Sequence, residues 1–435
     1  MKKKTISLFV TLAMTASLIA GCGSSSSSTE ESASSDTTQT ESTDTATDAS
    51  ATDASATDAS ATDSEAADTS AIKVGVIYVG DENEGYTEAH MSGIEEMQEA
   101  LGLSDDQIIE KTNIPEDESC YDAAVDLADQ GCTIIFANSF GHESYMLQAA
   151  AEFPDVQFCH ATGYQAATSG LSNMHNYFTS IYEARYVSGV VAGMKLNAMI
   201  DAGTITADEA KLGYVGAFPY AEVVSGYTSF FLGVQSVCPT ATMEVQYTNS
   251  WADMSGEAEV ASQLIAHGCK LISQHADTTG SPSTCEEAGV PCVGYNVDMT
   301  SIAPNSALTS AYNNWGPYYT YAVKSVMDGT AMDADWCQGY ADDAVGITTL
   351  NDSVVAEGTA DKVAEVEAAI KDGSLHVFDT STFTVNGSSI EDLIESDAEF
   401  SKYADFVSDG YYHESELASA PSFDLRIDGI TELTQ

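Results

Sequence analysis

Positive charge is scarce in this chain: 14 Lys and Arg stand against 67 Asp and Glu, a formal net charge of -53. A nucleic-acid backbone is held by many Lys and Arg side chains, so this balance excludes nucleic acid as a partner. It also argues against a phosphorylated or multiply anionic small molecule, which needs cationic clamps. A neutral or cationic ligand is expected, although acidity on this scale also serves simply as a solubility device. The chain has nine cysteines, none in a CxxC pair, which argues against a zinc or redox centre. There is no Gly-x-Ser-x-Gly elbow, no His-Glu-x-x-His pair and no glycine-rich phosphate loop, so no catalytic residue, metal or cofactor is expected. His275 and Asp277 share one strand face but have no nucleophile beside them. Beyond Ala20 no apolar run is long enough to span a membrane.

What is present begins with an address. Met1 to Ala20 reads as a basic segment followed by an apolar core, a secretory signal, and Ile19-Ala20-Gly21-Cys22 resembles the lipobox of bacterial lipoproteins. Residues 1–22 are therefore expected to be a lipoprotein signal that leaves Cys22 lipidated, with a plain signal peptide cleaved elsewhere as the alternative. Several acyl chains on one cysteine, at roughly 0.8 kcal/mol per buried methylene, would hold a soluble domain on the extracytoplasmic face of the cell membrane. Residues 23–70 are Ser, Thr, Ala and acid, with Ala-Thr-Asp-Ala-Ser repeated; lacking large apolar residues, they should form an unfolded tether. The remainder exceeds the usual size of one core and predicts two domains.

The grammar of that remainder is α/β. Lys73 to Val79 is a short apolar, β-branched run that suits a strand buried on both faces, and from Tyr86 onward the spacing becomes helical. Cys132 to Ala137 and Val156 to His160 repeat the pattern, and Asn176 to Leu196 reads as a long helix whose Ser188, Gly189, Ala192 and Gly193 allow close packing. The alternation restarts at Lys211 and runs through Tyr295, giving a second lobe with a parallel sheet. The expected first lobe comprises residues 71–174 and 308–332, the second 175–307 and 333–435. A chain crossing between lobes more than once makes a hinge. Ligands of open α/β sheets bind beyond the carboxyl ends of the strands. Tyr86, His90, Ser139, His160 and Thr162 stand at such ends in the first lobe, and Phe218, Trp251, His275, Asp277, Asn296, Asp298 and Asn313 in the second or between the two. Each of these positions is also compatible with an ordinary structural role.

Tyr-Val-Gly-Ala-Phe-Pro (214 to 219), Asn-Ser-Trp-Ala-Asp (249 to 253), Gln-His-Ala-Asp (274 to 277), Gly-Tyr-Asn-Val-Asp-Met (294 to 299) and Asn-Trp-Gly-Pro-Tyr-Tyr (314 to 319) resemble the basic membrane protein family. The resemblance runs from about Lys73 to beyond Asp343. It implies the type I periplasmic-binding-protein fold, two lobes hinged around a cleft, and a substrate-binding lipoprotein that delivers a purine base or nucleoside to ABC permease subunits. The chain is expected to act as a monomer. Gly85-Tyr86 and His90 are similar to the branch for which an adenine-like ligand is expected. The resemblance makes Tyr86 a stacking aromatic, puts Trp251 near the cleft and makes Asp298 a hydrogen-bond acceptor. Asn296 stands where nucleoside-binding members usually have a carboxylate, and Asn313 about where they have a lysine, which favours a free base over a ribose-bearing ligand.

The residue chemistry is compatible with this. A purine needs aromatic platforms plus a few amides or carboxylates along its edge. Stacking contributes about 1 to 3 kcal/mol per base and a micromolar site needs roughly 8 kcal/mol, so edge hydrogen bonds and lobe closure must supply most of it. A sugar-binding lipoprotein of the same fold and a sensory lipoprotein that presents its ligand to a receptor are the competing readings.

Overall fold

The computed structural model of the chain describes residues 72–433. The signal segment, Cys22 and the tether expected from the sequence lie outside the described residues. In chain order the structure begins β1 (Val74–Ile77), α1 (Gly85–Leu101), β2 (Ile108–Lys111), α2 (Glu118–Asp129), β3 (Ile134–Ala137), α3 (Glu143–Glu152), β4 (Gln157–Ala161), α4 (Ala166–Ser169) and β5 (Met174–Thr179). It continues α5 (Ile181–Asp201), β6 (Lys211–Gly216), α6 (Ala221–Val237), β7 (Thr242–Tyr247), α7 (Met254–Ala266), β8 (Leu271–Gln274), α8 (Gly280–Ala288), β9 (Cys292–Tyr295) and β10 (Ala307–Asn313). The last elements are α9 (Gly316–Asp328), β11 (Asp335–Gln338), β12 (Val345–Ile347), α10 (Thr359–Lys371), α11 (Ile390–Ser396), β13 (Val407–Ser408), β14 (Tyr411–Tyr412) and β15 (Ile430–Glu432).

Two sheets result. The first has the order β11-β5-β4-β3-β1-β2 and every pairing in it is parallel. The second has the order β12-β10-β9-β8-β6-β7-β15, with β12 antiparallel at one edge. The chain passes between the sheets after β5, after β10 and after β11. This differs from the expected lobe membership at three strands. Residues 176–179 were expected to open a helix, yet they belong to β5 of the first sheet, and the helix starts only after Ser180. Residues 308–313 were expected in the first lobe, but β10 pairs with β9 and β12 in the second sheet. Residues 335–338 were expected in the second lobe, but β11 pairs with β5 in the first. The helix that follows β10 does join the first lobe: Gly93 on α1 admits the start of α9, and a Cβ at Gly93 would stand 2.7 Å from the Trp315 Cβ.

The pleat explains the layers. In β1 and β3, Val74, Val76, Ile134 and Phe136 face one core while Ile77, Ile135 and Ala137 face another, as a period of two requires. The first of these cores is continuous from α1 and α9 of the first lobe through α5 and α6 to the inner face of the second sheet. The expected close packing of α5 is met against α6. A Cβ at Gly189 would lie 2.0 Å from the Phe230 carbonyl oxygen, and one at Gly233 the same distance from that of Tyr186. Both obstacles are backbone, which cannot swing aside. Gly189→Ala is therefore expected to cost at least about 1 to 3 kcal/mol by forcing the two helices apart. The midpoint of urea unfolding measures it, and an unchanged midpoint would show that the pair has slack.

Residues after α10 form a strap that touches both lobes. Phe378, Tyr412 and Phe423 pack on one another, with Phe378 and Phe423 stacked at 4.3 Å, and the Tyr182 ring of α5 lies 5.4 Å from Phe378. Ser419 donates its backbone N–H to Asp335 of the first sheet at 2.8 Å. Farther on, β15 extends the second sheet alongside β7.

Candidate functional site

The first βα turn meets the second lobe directly. Glu84 caps α1 by accepting from the Thr87 backbone N–H at 3.3 Å, and its neighbour Gly85 donates to the Asp277 carbonyl at 3.0 Å. A side chain at Gly85 would crowd that carbonyl. This turn is thus fixed at one end by helix capping and at the other by the strand end of β8. Tyr86 follows in the first turn of α1, half-buried, and its hydroxyl donates to the Asn138 carbonyl at 2.7 Å. Burial pushes its phenol well above the ordinary value, with Tyr295, Glu222 and Asp277 of the other lobe adding to the shift.

One helical turn later His90 is fully buried. Its ring stacks on Trp315 at 4.2 Å, meets Tyr86 edge-on at 4.5 Å, and places Nδ1 2.5 Å from the Tyr319 hydroxyl, which continues to that of Tyr177 at 3.2 Å. Burial holds His90 well below the usual imidazole value, so it is neutral. His90 Nε2 and Trp315 Nε1 are both buried without a hydrogen-bond partner. A buried donor left unpaired costs about 1 to 3 kcal/mol, and such costs persist at functional sites.

The opposing wall comes from β6, β8, β9 and β10. His275 donates or accepts at both ring nitrogens, 2.7 Å from Glu222 Oε1 and 3.2 Å from the Tyr214 hydroxyl. Burial lowers its pKa against the opposing pull of Glu222. Burial would raise Glu222, but His275 and then Arg185 outweigh it and hold the carboxyl below its ordinary value. Asp277, 7% exposed, is pushed well above the carboxylate range by burial and by Glu84, Glu257 and Glu222, with Arg185 opposing. Its protonated form can donate as well as accept. Asn296 adopts a left-handed φ of 59°, which turns its amide back to within 3.5 Å of Asp277 and 2.9 Å of Asn313. Asn313 also bonds the Tyr295 hydroxyl at 3.2 Å and the Thr179 hydroxyl at 2.5 Å, tying the end of β10 to the end of β5 at the hinge.

Tyr86, His90, His275, Asp277, Asn296 and Asn313 are therefore gathered around one interlobe junction. Phe218 and Trp251 stand at its rim in an aromatic row. Trp251 lies 5.2 Å from Phe218, which stacks on Tyr220 at 5.1 Å, and Tyr220 lies 5.8 Å from Phe140 of the first lobe. Ser139, His160 and Thr162 hold their own loops. The Ser139 hydroxyl donates to Glu116 at 2.7 Å, its carbonyl lies 2.6 Å from His160 Nε2, and the Thr162 hydroxyl turns back to the Ala161 carbonyl. Asp298 is not brought into the cluster. It is exposed and caps a single 3-10 turn by accepting from the Thr300 N–H at 2.8 Å, because the left-handed turn at Asn296 sends the chain outward.

Trp315, within the Asn-Trp-Gly-Pro-Tyr-Tyr stretch already noted, and three residues that the sequence reading missed, Glu84, Glu222 and Arg185, complete the junction. Arg185, one of two arginines in the chain, is fully buried. Its Nη1 donates to the Gln274 carbonyl at 2.6 Å, and its guanidinium lies 3.6 Å from the centre of the Tyr295 ring. An arginine inside the apolar, glycine-rich stretch of α5 was the available signal. The arrangement offers aromatic faces, three acidic groups and one shielded cation. Among the described residues no group of three His, Cys, Asp or Glu side chains is placed to hold a metal ion, and all eight cysteines are free thiols.

Comparison with known proteins adds to this geometry. The model of the Bmp family, described as ABC transporter substrate-binding protein, PnrA-like, matches residues 71–376. A purine-binding protein of Brucella abortus is 35% identical over 305 residues, covering 69% of this chain and 81% of its own length. A putative ABC transporter glucose-binding protein of Haloferax volcanii is 32% identical over 267 residues, 61% of this chain and 64% of that protein. Among solved structures, an ABC transporter solute-binding protein of Aeropyrum pernix superposes with a TM-score of 0.59 over 75% of this chain and 98% of its own, at 15% identity, a likeness of fold.

Proposed function

Because the chain belongs to the Bmp family of PnrA-like ABC transporter substrate-binding proteins, we propose that it captures a neutral purine base or nucleoside, adenine-like, between its two lobes for uptake. The observation that carries this is the 35% identity to a purine-binding relative across 81% of that relative's length. The chemistry of the junction supports it. Tyr86 offers a stacking face. The unpartnered N–H of Trp315 suits a ring nitrogen, His90 Nε2 donates or accepts according to its tautomer, and Asp277, Glu84 and Glu222 suit an exocyclic amine or a ring N–H. A phosphate would meet three acidic groups and a single arginine, whose Nη1 is bound to a carbonyl while Nε and Nη2 have no partner. The function proposed is binding, not catalysis. The protein would work as a monomer, held by lipidated Cys22 on the extracytoplasmic face of the membrane and delivering its ligand to permease subunits.

The identity to a glucose-binding relative favours a second reading, a sugar ligand. Calorimetric titration of ligand-stripped protein with adenine, adenosine, AMP and glucose separates them. Adenine or adenosine is expected to bind more tightly than AMP, with no response to glucose. Tight glucose binding without any purine response would replace the purine reading by the sugar one. In the same assay Tyr86→Ala should weaken purine binding by about 1 to 3 kcal/mol. Tyr86→Phe, which keeps the ring and loses only the bond to Asn138, should weaken it less.

A further inference from the structure

Exposed aromatic side chains are ordinary on a protein surface when they are scattered. Here they are not. Six large apolar side chains are exposed among the described residues, and the three aromatic ones, Phe140, Tyr164 and Tyr220, stand in one row. Tyr164 follows β4 and Phe140 follows β3, both in the first lobe, while Tyr220 follows β6 in the second. The Tyr164 ring stacks along Phe140 at 6.5 Å, and Phe140 meets Tyr220 at 5.8 Å with the ring planes 31° apart. All three lie at carboxyl ends of strands, the side on which the interlobe junction is built.

Each ring is held by its own lobe. Phe140 sits in a tight turn fixed on both sides by Glu116, which accepts from the Ser139 hydroxyl at 2.7 Å and from the Gly141 N–H at 2.8 Å. Tyr220 precedes α6, accepts from the Val223 and Val224 N–H groups at 3.0 Å, and lies 5.1 Å from Phe218 and 6.1 Å from Trp251. Both supports lead into the junction. The Tyr86 hydroxyl bonds the Asn138 carbonyl, two residues before Phe140, and the Trp251 carbonyl accepts from the Asp277 N–H at 2.9 Å. Among the described residues no hydrogen bond or ion pair joins the turn at 139–142 to the second lobe. The rims meet here through rings alone, and the contact lasts only while the lobes are together.

Phe140 is 47% and Tyr220 45% exposed, whereas Asp277 is 7% exposed, so the pair stands at the outer edge of the junction. We infer that Phe140 and Tyr220 form a clasp across the mouth of the junction that determines how long a ligand is retained. This rests on the reading that a ligand is taken up between the lobes, whichever ligand that is. A ring pair of this separation adds stabilisation beyond the apolar area it covers. Because the rings meet only after the ligand has entered and the lobes have closed, the clasp slows release without speeding entry.

A chase experiment tests it: protein loaded with labelled adenine is mixed with excess unlabelled adenine, and the release rate is followed. Phe140→Ala and Tyr220→Ala should each raise that rate by about threefold to tenfold and leave the association rate within about twofold of wild type. Tyr220→Phe keeps the ring and should release like wild type. Tyr164→Ala removes a still more exposed ring that touches Phe140 on its own lobe, and it should also release like wild type. The double variant should release no faster than the faster single one, because both changes remove the same contact. If adenine does not bind, the purine reading fails and labelled glucose takes its place in the chase. The contact is also read with no ligand added: with 4-fluorophenylalanine in place of Phe140, the fluorine resonance should shift when Tyr220→Ala removes the neighbouring ring. Wild-type release from both single variants, an equal rise for Tyr164→Ala, multiplied effects in the double variant, or a fluorine resonance indifferent to Tyr220→Ala would each overturn the inference.

Discussion

Replacing Arg185 with alanine is expected to lower folding stability by about 3 to 5 kcal/mol. The guanidinium has no exposure, so the protein carries its charge wholly inside. Glu222 carries the compensating charge in the same region, and the effect of Arg185 is felt at Glu222, His275 and Asp277 alike. Alanine removes the cation and its bond to the Gln274 carbonyl, leaves the face of Tyr295 uncovered and strands a largely buried carboxylate. If that reasoning holds, the loss is a property of the pair. Glu222→Gln in the Arg185→Ala background should then cost less than it does alone, with a coupling of about 0.5 to 3 kcal/mol in a double-mutant cycle read by urea unfolding. Strict additivity would mean that Arg185 acts through packing and its carbonyl bond alone.

The fold's grammar was legible because buried parallel strands leave continuous apolar runs and the intervening helices a different period. What escaped had no local mark. Met-His-Asn-Tyr-Phe-Thr (174 to 179) carries polar residues in its first half and runs straight into α5, so periodicity absorbed the strand into the helix. Likewise β10 reads as a strand anywhere, but its partner is chosen by hydrogen bonds to β9 and β12, which a one-dimensional pattern does not contain. At the junction the strand-end residues were readable from position: Tyr86, His275, Asp277, Asn296 and Asn313 all come together. Glu84 and Glu222 were not, because acidic residues at helix starts are ordinary capping and dipole features. Their burial depends on the two lobes being in contact. Asp298 was misplaced for the converse reason, since its Asx turn is a local use of a carboxylate that looks the same in sequence as a ligand-facing one.

Folding stability is expected to peak near about pH 6.5 and to fall on both sides. Five histidines, His90, His142, His160, His175 and His275, are held below the ordinary value of 6.5 chiefly by burial, His160 to about 4. The unfolded chain takes up protons at these rings before the folded one does, so stability is lost as pH falls below their ordinary value. Buried carboxyls act in the opposite sense. Burial raises Glu183 and Glu257 from 4.5 to about 7, and Asp277 is raised as well. The folded protein keeps protons that the unfolded chain has released, so their contribution is complete below the ordinary carboxylate value and is lost as pH rises through about 7. Between the two carboxylate values the sets oppose each other; above the imidazole value only the carboxyls remain. Glu257 isolates one member, being fully buried with both oxygens 3.2 Å from the Thr278 N–H. Glu257→Gln cannot ionise, so its stability relative to the wild type should improve by about 3 kcal/mol between about pH 5 and pH 8. Urea unfolding of both proteins across that range measures the difference. A gap that stays constant with pH would show that Glu257 ionises as readily folded as unfolded.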